Sequence, residues 1–365
     1  MSLLTEFLAD PACIRAWRPK EWNRFLPLLR EARLMTRALF LAESAGTVDA
    51  IPARIVDQMI GARAQTRYVQ IQAVRELRLV LQALQHENIR VMALKGVAYQ
   101  VAALPLAKWR GLSDIDLLVD RADVERAEAS LLRSGWVVNG EFDDYDQRYY
   151  REWMHEVPPL RHAARETEVD LHHNLSPPVS RIRIDAAELW RGAVAAGENV
   201  GMEVSVLSDC DMLLHNAVHL FMNDELRGGL RDVMDFRDLY MHFGTGDEQF
   251  EQRLLARAEA LGCGLPLYYA IDTARRLVAL KPGEKMVADL SRHRPSVFTR
   301  SLMRWLIEHA LAPTQPALRK NALANWLLFV RSHWIRMPKA LLLRHLVRKT
   351  LKRRAPISTI QETPG

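Results

Sequence analysis

Three carboxylates stand in two short apolar segments of this sequence, at spacings that could bring them together. Asp114 and Asp116 belong to the run SDIDLLV, and Asp170 belongs to the run EVDLH. Because successive side chains of a β-strand point to opposite faces, Asp114 and Asp116 share one face while Ile115 and Leu117 point into the core. Carboxylates gathered in this way repel one another unless a cation neutralises them. If the two strands are neighbours, the acids predict an oxygen-lined site for a divalent metal such as Mg²⁺.

A short turn earlier in the chain adds a positive charge. The apolar run NIRVMALKG ends in Lys95 and Gly96, which predicts a strand that stops at a glycine before a helix. Backbone N–H groups at such a turn, together with the N-terminus of the following helix, attract anions. Lys95 and Gly96 are therefore candidate anion contacts, and they precede the acids in the chain.

The elements that must position these residues fall into consecutive stretches. Residues 1–85 carry apolar residues at helical spacing, residues 86–207 contain short strand-like runs, and residues 208–354 are again helical. Residues 355–365 predict a disordered tail. The pattern predicts an α+β fold, with a small mixed β-sheet core flanked by N-terminal and C-terminal helical regions.

The composition is typical of a folded protein without a membrane span. Of 365 residues, 26% are charged, and no run of about 18 apolar residues occurs. Three cysteines without a CxxC argue against a disulfide framework and a zinc–thiolate site, and they favour a reducing cytoplasm. The first residues, MSLLTEFLAD, contain two acids and do not resemble a secretory signal.

The net charge of +6 is concentrated near the C-terminus. Residues 331–354 contain nine Lys or Arg and no acid, so the rest of the chain is slightly acidic. The run LLLRHLVRKTLKRRA has an apolar face beside a basic one. Such a helix either packs on the body of the protein or binds an anionic membrane surface or nucleic acid. A cytoplasmic protein is expected, with a peripheral membrane contact as an alternative.

The order of these segments resembles a known superfamily. The LKG turn, the RGLSDIDLLV strand and the later VDLH strand are similar to the nucleotidyltransferase superfamily of the DNA polymerase beta type. The closer similarity is to a bacterial group called uncharacterised nucleotidyltransferases, and the segments LLHNAVH and RGGLRDVMDF resemble its C-terminal part. The resemblance covers roughly residues 65–245. Most of the superfamily has Gly-Ser in the turn, whereas Val97 follows Gly96 here, so no serine hydroxyl is available to a triphosphate at that position.

The resemblance implies an enzyme that moves a nucleoside monophosphate group from an NTP such as ATP to a hydroxyl acceptor, with Mg²⁺ or Mn²⁺ as cofactor. Asp114 and Asp116 would hold one or two metal ions, and Asp170 would bind the second and help to deprotonate the attacking hydroxyl. Replacing Asp114 or Asp116 by Asn is predicted to abolish transfer. The same substitution lowers mutual repulsion in the metal-free protein, which favours a higher melting temperature.

The resemblance also implies contacts to the triphosphate, but it does not specify the acceptor. Lys95 and Gly96 would contact the β- and γ-phosphates, and Ser113 and Arg110 are lesser candidates for phosphate contact. The acceptor is left open among a small molecule, a saccharide or lipid intermediate, a peptide, a protein side chain and an RNA end.

Two alternatives to this enzyme stay open. One is a toxin-like or regulatory module that binds nucleotide and acts through a partner, and the other is a membrane-associated enzyme of surface-polysaccharide assembly. Two further polar pairs are weaker candidates. His215 and His219, four apart on a predicted helix, lack a third ligand at zinc spacing, so packing or a nucleotide contact is the favoured interpretation. Asp144 and Asp146 form a second D-x-D with no apolar run after it, which predicts a solvated loop.

Overall fold

The strands in the described part of this chain form one seven-stranded mixed sheet. The computed structural model describes residues 3–140, 142–165, 167–222, 226, 228–312, 319–339 and 342. The strands are β1 (Met92–Ala93), β2 (Ile115–Leu118), β3 (Trp136–Val138), β4 (Leu160–His162), β5 (Glu168–His172), β6 (Val194–Ala196) and β7 (Val204–Val206). Their order across the sheet is β3-β4-β5-β2-β1-β7-β6.

Helices precede, connect and follow these strands. Those before the sheet are α1 (Leu3–Ala9), α2 (Pro19–Glu31), α3 (Met35–Ser44) and α4 (Ala53–Gln85). Those between strands are α5 (Lys95–Val101), α6 (Val124–Arg133), α7 (Asp144–Arg148) and α8 (Ala186–Arg191). Those after the sheet are α9 (Asp209–Met222), α10 (Leu230–Gly244), α11 (Phe250–Ala260), α12 (Gly264–Leu277), α13 (Glu284–Leu290), α14 (Val297–Leu311) and α15 (Arg319–Arg336). The predicted α+β class, with a mixed sheet between helical regions, is confirmed.

The hydrophobic core is continuous across these regions. One cluster of buried apolar side chains extends from Leu4 in α1, through the sheet, to Leu328 in α15. The division into domains at residues 1–85, 86–207 and 208–354 stays a prediction. The basic run that ends at Arg354 and the predicted disordered tail, residues 355–365, lie largely or wholly outside the described residues. Within the described part of the chain, no helix combines the length and apolar character that a bilayer crossing requires.

The pairing of β2 with β5 positions the acids. These strands run parallel, with Asp116 opposite Asp170 and Leu118 opposite His172. Residues that are opposite one another in neighbouring strands project to the same face of a sheet. The other face is apolar, and Leu117 and Leu171 on it are completely buried. A register shift of one residue would move the acids into that core, so the apolar pattern itself specifies the register.

The second D-x-D does not form the loop that was predicted for it. Asp144–Arg148 is the short helix α7, and the side chain of Asp143 accepts a hydrogen bond from the backbone N–H of Asp146. Such a cap compensates for the missing apolar run because it satisfies a free N–H group of the first turn. Tyr145 of this helix is buried, while Asp144 is exposed. The loop prediction was therefore wrong, although these acids remain separate from the three described above.

Candidate functional site

Asp114, Asp116 and Asp170 converge on one side of the sheet. One carboxylate oxygen from each lies within 4.8 Å of the others. Asp116 is 2% exposed, whereas Asp114 and Asp170 are half-buried and open to a cleft of about 320 Å³. Three anionic oxygens at this separation suit one shared hard cation, such as Mg²⁺ or Mn²⁺, and leave room for water or substrate oxygens. The donor set therefore fits the metal that the sequence predicts.

Lys95 supplies a positive charge directly beside Asp116. Its Nζ lies 2.6 Å from Asp116 Oδ1. The backbone N–H of Leu94 donates to the carbonyl of Asp116 at 2.9 Å and so holds the end of β1 against β2. Lys95 then has a φ of 48°, a left-handed conformation that costs a non-glycine residue about 1–2 kcal/mol. Strained positions of this kind cluster at functional sites, and here the strain accompanies the turn from β1 into α5.

The other predicted phosphate contacts line the same cleft. Gly96 permits a close approach, because a Cβ at this position would lie 2.5 Å from Leu112 Cδ2 and would displace that methyl group. Ser113 is exposed, and its hydroxyl donates to Asp114 Oδ1 at 2.9 Å. The structure thus brings the turn and the acids together, while contact with a phosphate stays a prediction.

Asp116 and Asp170 have opposite electrostatic environments. Burial disfavours ionised Asp116, but the charge of Lys95 and the hydrogen bond with His172 outweigh it and hold the pKa of Asp116 well below its usual range. Burial and the negative charge of Asp116 instead raise the pKa of Asp170 to about 7. Asp170 is therefore the acid of this pair whose ionised form needs a nearby cation at neutral pH.

His172 contacts two carboxylates at once. It lies on the same face as Asp170, as the alternation in β5 predicts, and its Nε2 is 3.1 Å from Asp116 Oδ1. Its Nδ1 is 3.4 Å from Glu156 Oε2. Burial would lower the pKa of His172, but the hydrogen bond with Asp116 and the charge of Glu156 outweigh burial and raise it.

Sequence reasoning missed several residues of the cleft. Glu156 lies there because its backbone forms a bridge with His172 of β5. The segment WMHEVPP that contains it shows neither helical nor strand periodicity, so no local signal marked it. Other lining residues that the sequence did not predict include Arg33, Tyr99, His155, Asn216 and Arg336.

His215 and His219 of α9 also line the cleft. Burial lowers the pKa of His215 to about 3 and the pKa of His219 well below its usual range. Both imidazoles are therefore neutral, and their ring centroids are 6.2 Å apart. Among the described residues, the groups of potential metal ligands do not include either histidine. A packing role or a contact to the bound ligand stays the favoured interpretation.

Arg110 directs its guanidinium at two acids of α10. Its Nε donates to Asp235 Oδ2 at 2.6 Å, and its Nη2 donates to Asp232 Oδ1 at 3.2 Å. Arg110 and Asp235 are buried, at 7% and 2% exposure. Burial would lower the pKa of Arg110, but the two carboxylates outweigh burial and raise it. Arg110 thus connects the loop before β2 to α10, and its contact with phosphate stays a prediction.

Comparison with models of protein families gives a match over most of the chain. The model of a family described as "Uncharacterised nucleotidyltransferase" matches residues 18–279. The matched region contains the whole sheet, the three aspartates and the helices α9 and α10. It extends well beyond residues 65–245, the range over which the sequence motifs resemble the family. A search of curated proteins found no match to the sequence.

Proposed function

Because this chain belongs to the uncharacterised nucleotidyltransferase family, we propose that it is an Mg²⁺-dependent enzyme that transfers a nucleoside monophosphate group from an NTP to a hydroxyl acceptor. The observation that supports this proposal most directly is the convergence of Asp114, Asp116 and Asp170, whose carboxylate oxygens lie within 4.8 Å of one another. A bound Mg²⁺ would orient the α-phosphate and stabilise negative charge on the leaving pyrophosphate.

Each of the chain's own residues has a role that follows from its environment. Asp114 and Asp116 hold the metal, and Asp116 stays ionised because Lys95 and His172 stabilise its charge. Asp170 is suited to accept the proton of the attacking hydroxyl, because its half-buried carboxylate opens to the cleft beside the other two acids. The Lys95 ammonium, at the mouth of the LKG turn, would attract the β- and γ-phosphates.

The charge of the cleft also suits a phosphorylated ligand. Besides Arg110, three arginines from separate segments line it, namely Arg33 after α2, Arg231 in α10 and Arg336 at the end of α15. Guanidinium groups bind phosphate through paired hydrogen bonds. They lie in the same cleft as the acids, so a triphosphate could reach the metal and the arginines together.

We expect NTP binding that requires a divalent metal. Isothermal titration of the full-length chain with ATP, CTP, GTP and UTP should show heat of binding with Mg²⁺ and none after chelation. Incubation with radiolabelled NTP and a cell extract should then label an acceptor and release pyrophosphate. Asp114→Asn should lose both signals. Asp120→Asn should keep them, because Asp120 lies at the end of the SDIDLLVD segment and pairs with Arg90.

The same experiment separates this enzyme from the nucleotide-binding module that acts through a partner. Such a module would bind NTP tightly but release no pyrophosphate with any acceptor fraction. Binding that is insensitive to chelation, or retained fully in Asp114→Asn, would contradict a role for the aspartates as metal ligands.

A further inference from the structure

A second group of metal-ligating side chains lies beside the three aspartates and uses none of them. His155, Glu156 and His172 offer one donor atom each, all within 4.8 Å of one another. We propose that these three residues bind a transition-metal cation of the Zn²⁺ class. This inference does not depend on nucleotidyl transfer, because it concerns only the donor atoms and their spacing.

The backbone holds these three residues in position. His173 N–H donates to the carbonyl of His155 at 2.8 Å, and Val157 N–H donates to the carbonyl of Leu171 at 3.0 Å. These bonds align the segment antiparallel to the end of β5 and place Glu156 opposite His172. Both side chains therefore project to the same face of the sheet, and their approach follows from the fold rather than from flexible side chains.

The hydrogen bonding of His172 favours a cation between it and Glu156. An ionised carboxylate only accepts hydrogen bonds, so the Nε2 that lies 3.1 Å from Asp116 Oδ1 carries a proton. Its Nδ1 lies 3.4 Å from Glu156 Oε2, so a positive charge between these two atoms would be held by both. Two donors that are each about 2.0–2.1 Å from a tetrahedral zinc ion are about 3.4 Å apart. Asp116 would act as the outer carboxylate that orients a metal-bound histidine.

His155 completes the donor set. Its side chain is buried, at 8% exposure, and its Nδ1 has no hydrogen-bond partner among the described residues. A buried polar atom without a partner costs about 1–3 kcal/mol, and a bound cation would remove that cost. The ring centroids of His155 and His172 are 5.4 Å apart. Two imidazoles and one carboxylate leave a fourth position toward the cleft, as in zinc sites that bind a substrate or water.

Cobalt binding tests this site without an activity assay. The metal-free full-length chain is titrated with Co²⁺ in millimolar Mg²⁺, so that the aspartates are already occupied. We expect a visible absorption band of four-coordinate Co²⁺ that one equivalent of Zn²⁺ removes. Glu156→Gln should weaken Co²⁺ binding by more than the roughly 10- to 100-fold that loss of an outer partner causes. His155→Ala should do the same.

A control variant shows whether the loss of cobalt binding is specific to Glu156. Glu152→Gln changes a nearby exposed glutamate that pairs with Arg148, and it should leave the cobalt band unchanged. The Glu156→Gln result stands even if His155→Ala does not fold, because Glu156 is 25% exposed. An unchanged band in Glu156→Gln, a band that only Asp114→Asn abolishes, or no cobalt binding in Mg²⁺ would each refute the site. Loss of nucleotidyl transfer would not affect any of these readings.

A stripe of exposed apolar side chains runs along α15. Leu323, Trp326, Val330 and Trp334 follow one another at three- and four-residue spacing, so they share one face of the helix. Trp326 is 60% exposed, and Phe298 of the neighbouring helix α14 is 79% exposed. Large apolar side chains exposed together on one helix face indicate an interaction site.

The charge of the sequence that contains α15 indicates the partner of the stripe. From Ala310 to Gln361 the sequence contains eleven Lys or Arg and no acid. Lys339 lies over Trp334, with Nζ 5.0 Å from the ring centroid. Tryptophan beside basic side chains matches the interface of an anionic bilayer, where each Lys or Arg adds about 1 kcal/mol of binding. We infer that α15 docks the protein on an anionic membrane surface.

Vesicle co-sedimentation tests this second inference. The full-length chain should sediment with vesicles of mixed phosphatidylglycerol and phosphatidylcholine but not with phosphatidylcholine alone. The double variant Trp326→Ser, Trp334→Ser should reduce binding by about tenfold or more. Tyr68→Ser, which removes an exposed aromatic ring from α4, is the matched control and should bind normally. Equal binding by the double variant, or binding to RNA or DNA in place of anionic vesicles, would overturn the inference.

Discussion

Asp116→Asn and Asp170→Asn should both abolish the proposed nucleotidyl transfer and yet shift the stability of the metal-free protein in opposite directions. Each substitution removes an anionic oxygen from the cluster in which three carboxylates approach within 4.8 Å. A catalytic metal contributes several kcal/mol of transition-state stabilisation, and each 1.36 kcal/mol corresponds to a factor of ten in rate. We therefore expect kcat/KM to fall by about 10³-fold or more in both variants.

Asp116 stabilises the fold through its charge. Lys95 and His172 hold its pKa below the unfolded value, so its contribution is present above the unfolded pKa and is lost as the pH falls through the folded one. Asp116→Asn leaves the largely buried Lys95 ammonium without its 2.6 Å partner. Breaking such a pair costs about 3 kcal/mol, so the melting temperature should fall.

Asp170, in contrast, destabilises the folded state when its carboxylate is ionised. Burial and Asp116 raise its pKa to about 7, above the unfolded value, so the folded state favours its protonated form. Stability therefore decreases as the pH rises from about 4 to about 7 and stays reduced above that. At pH 8, Asp170→Asn should raise the free energy of unfolding by on the order of 2 kcal/mol, allowing for the partial exposure of Asp170. Near pH 4 this increase should disappear.

Calorimetric melting in a chelator at pH 4, 7 and 8 measures both effects. Asp120→Asn is the matched control, because Asp120 forms an exposed pair with Arg90 and should change stability by less than about 1 kcal/mol. A fall in melting temperature of equal size in Asp116→Asn and Asp170→Asn at pH 8 would contradict this account. The sequence alone predicted relief of repulsion on replacing Asp116, and the Lys95 pair reverses that expectation.

Arg110→Met should cause the largest loss of stability among the variants considered. The substitution keeps much of the side-chain volume but leaves Asp235 buried with no guanidinium at 2.6 Å. Removing one partner of a buried ion pair costs about 3–5 kcal/mol, because the other charge stays uncompensated. Denaturant unfolding should show the midpoint falling with little change in slope.

A double-mutant cycle identifies the cause. Asp235→Asn in the Arg110→Met background should recover a large part of the lost stability, since it removes the uncompensated charge. Arg148→Met is the matched control, because its pair with Glu152 is about half exposed and should contribute less than about 1 kcal/mol. Equal losses in Arg110→Met and Arg148→Met would show that the buried pairs with α10 do not support the fold.

The local pattern of the sequence was sufficient to predict the strands that carry the acids. Asp114 and Asp116 alternate with buried apolar residues, and so does Asp170, because one face of each strand is in the core. The LKG turn was equally readable, since a glycine that follows an apolar run marks the end of a strand.

Only the tertiary structure decided which distant residues meet. The parallel register places Asp170 beside Asp116, and the backbone bridge brings Glu156, from a segment without periodicity, to His172. Arg110 meets Asp235 across 125 residues of sequence. Periodicity reports only which face of its own element a side chain occupies, whereas the partner it meets depends on how the elements pack. The sequence by itself therefore determined which acids this protein presents, and the packing of the sheet and α10 determined the charges and donor atoms that surround them.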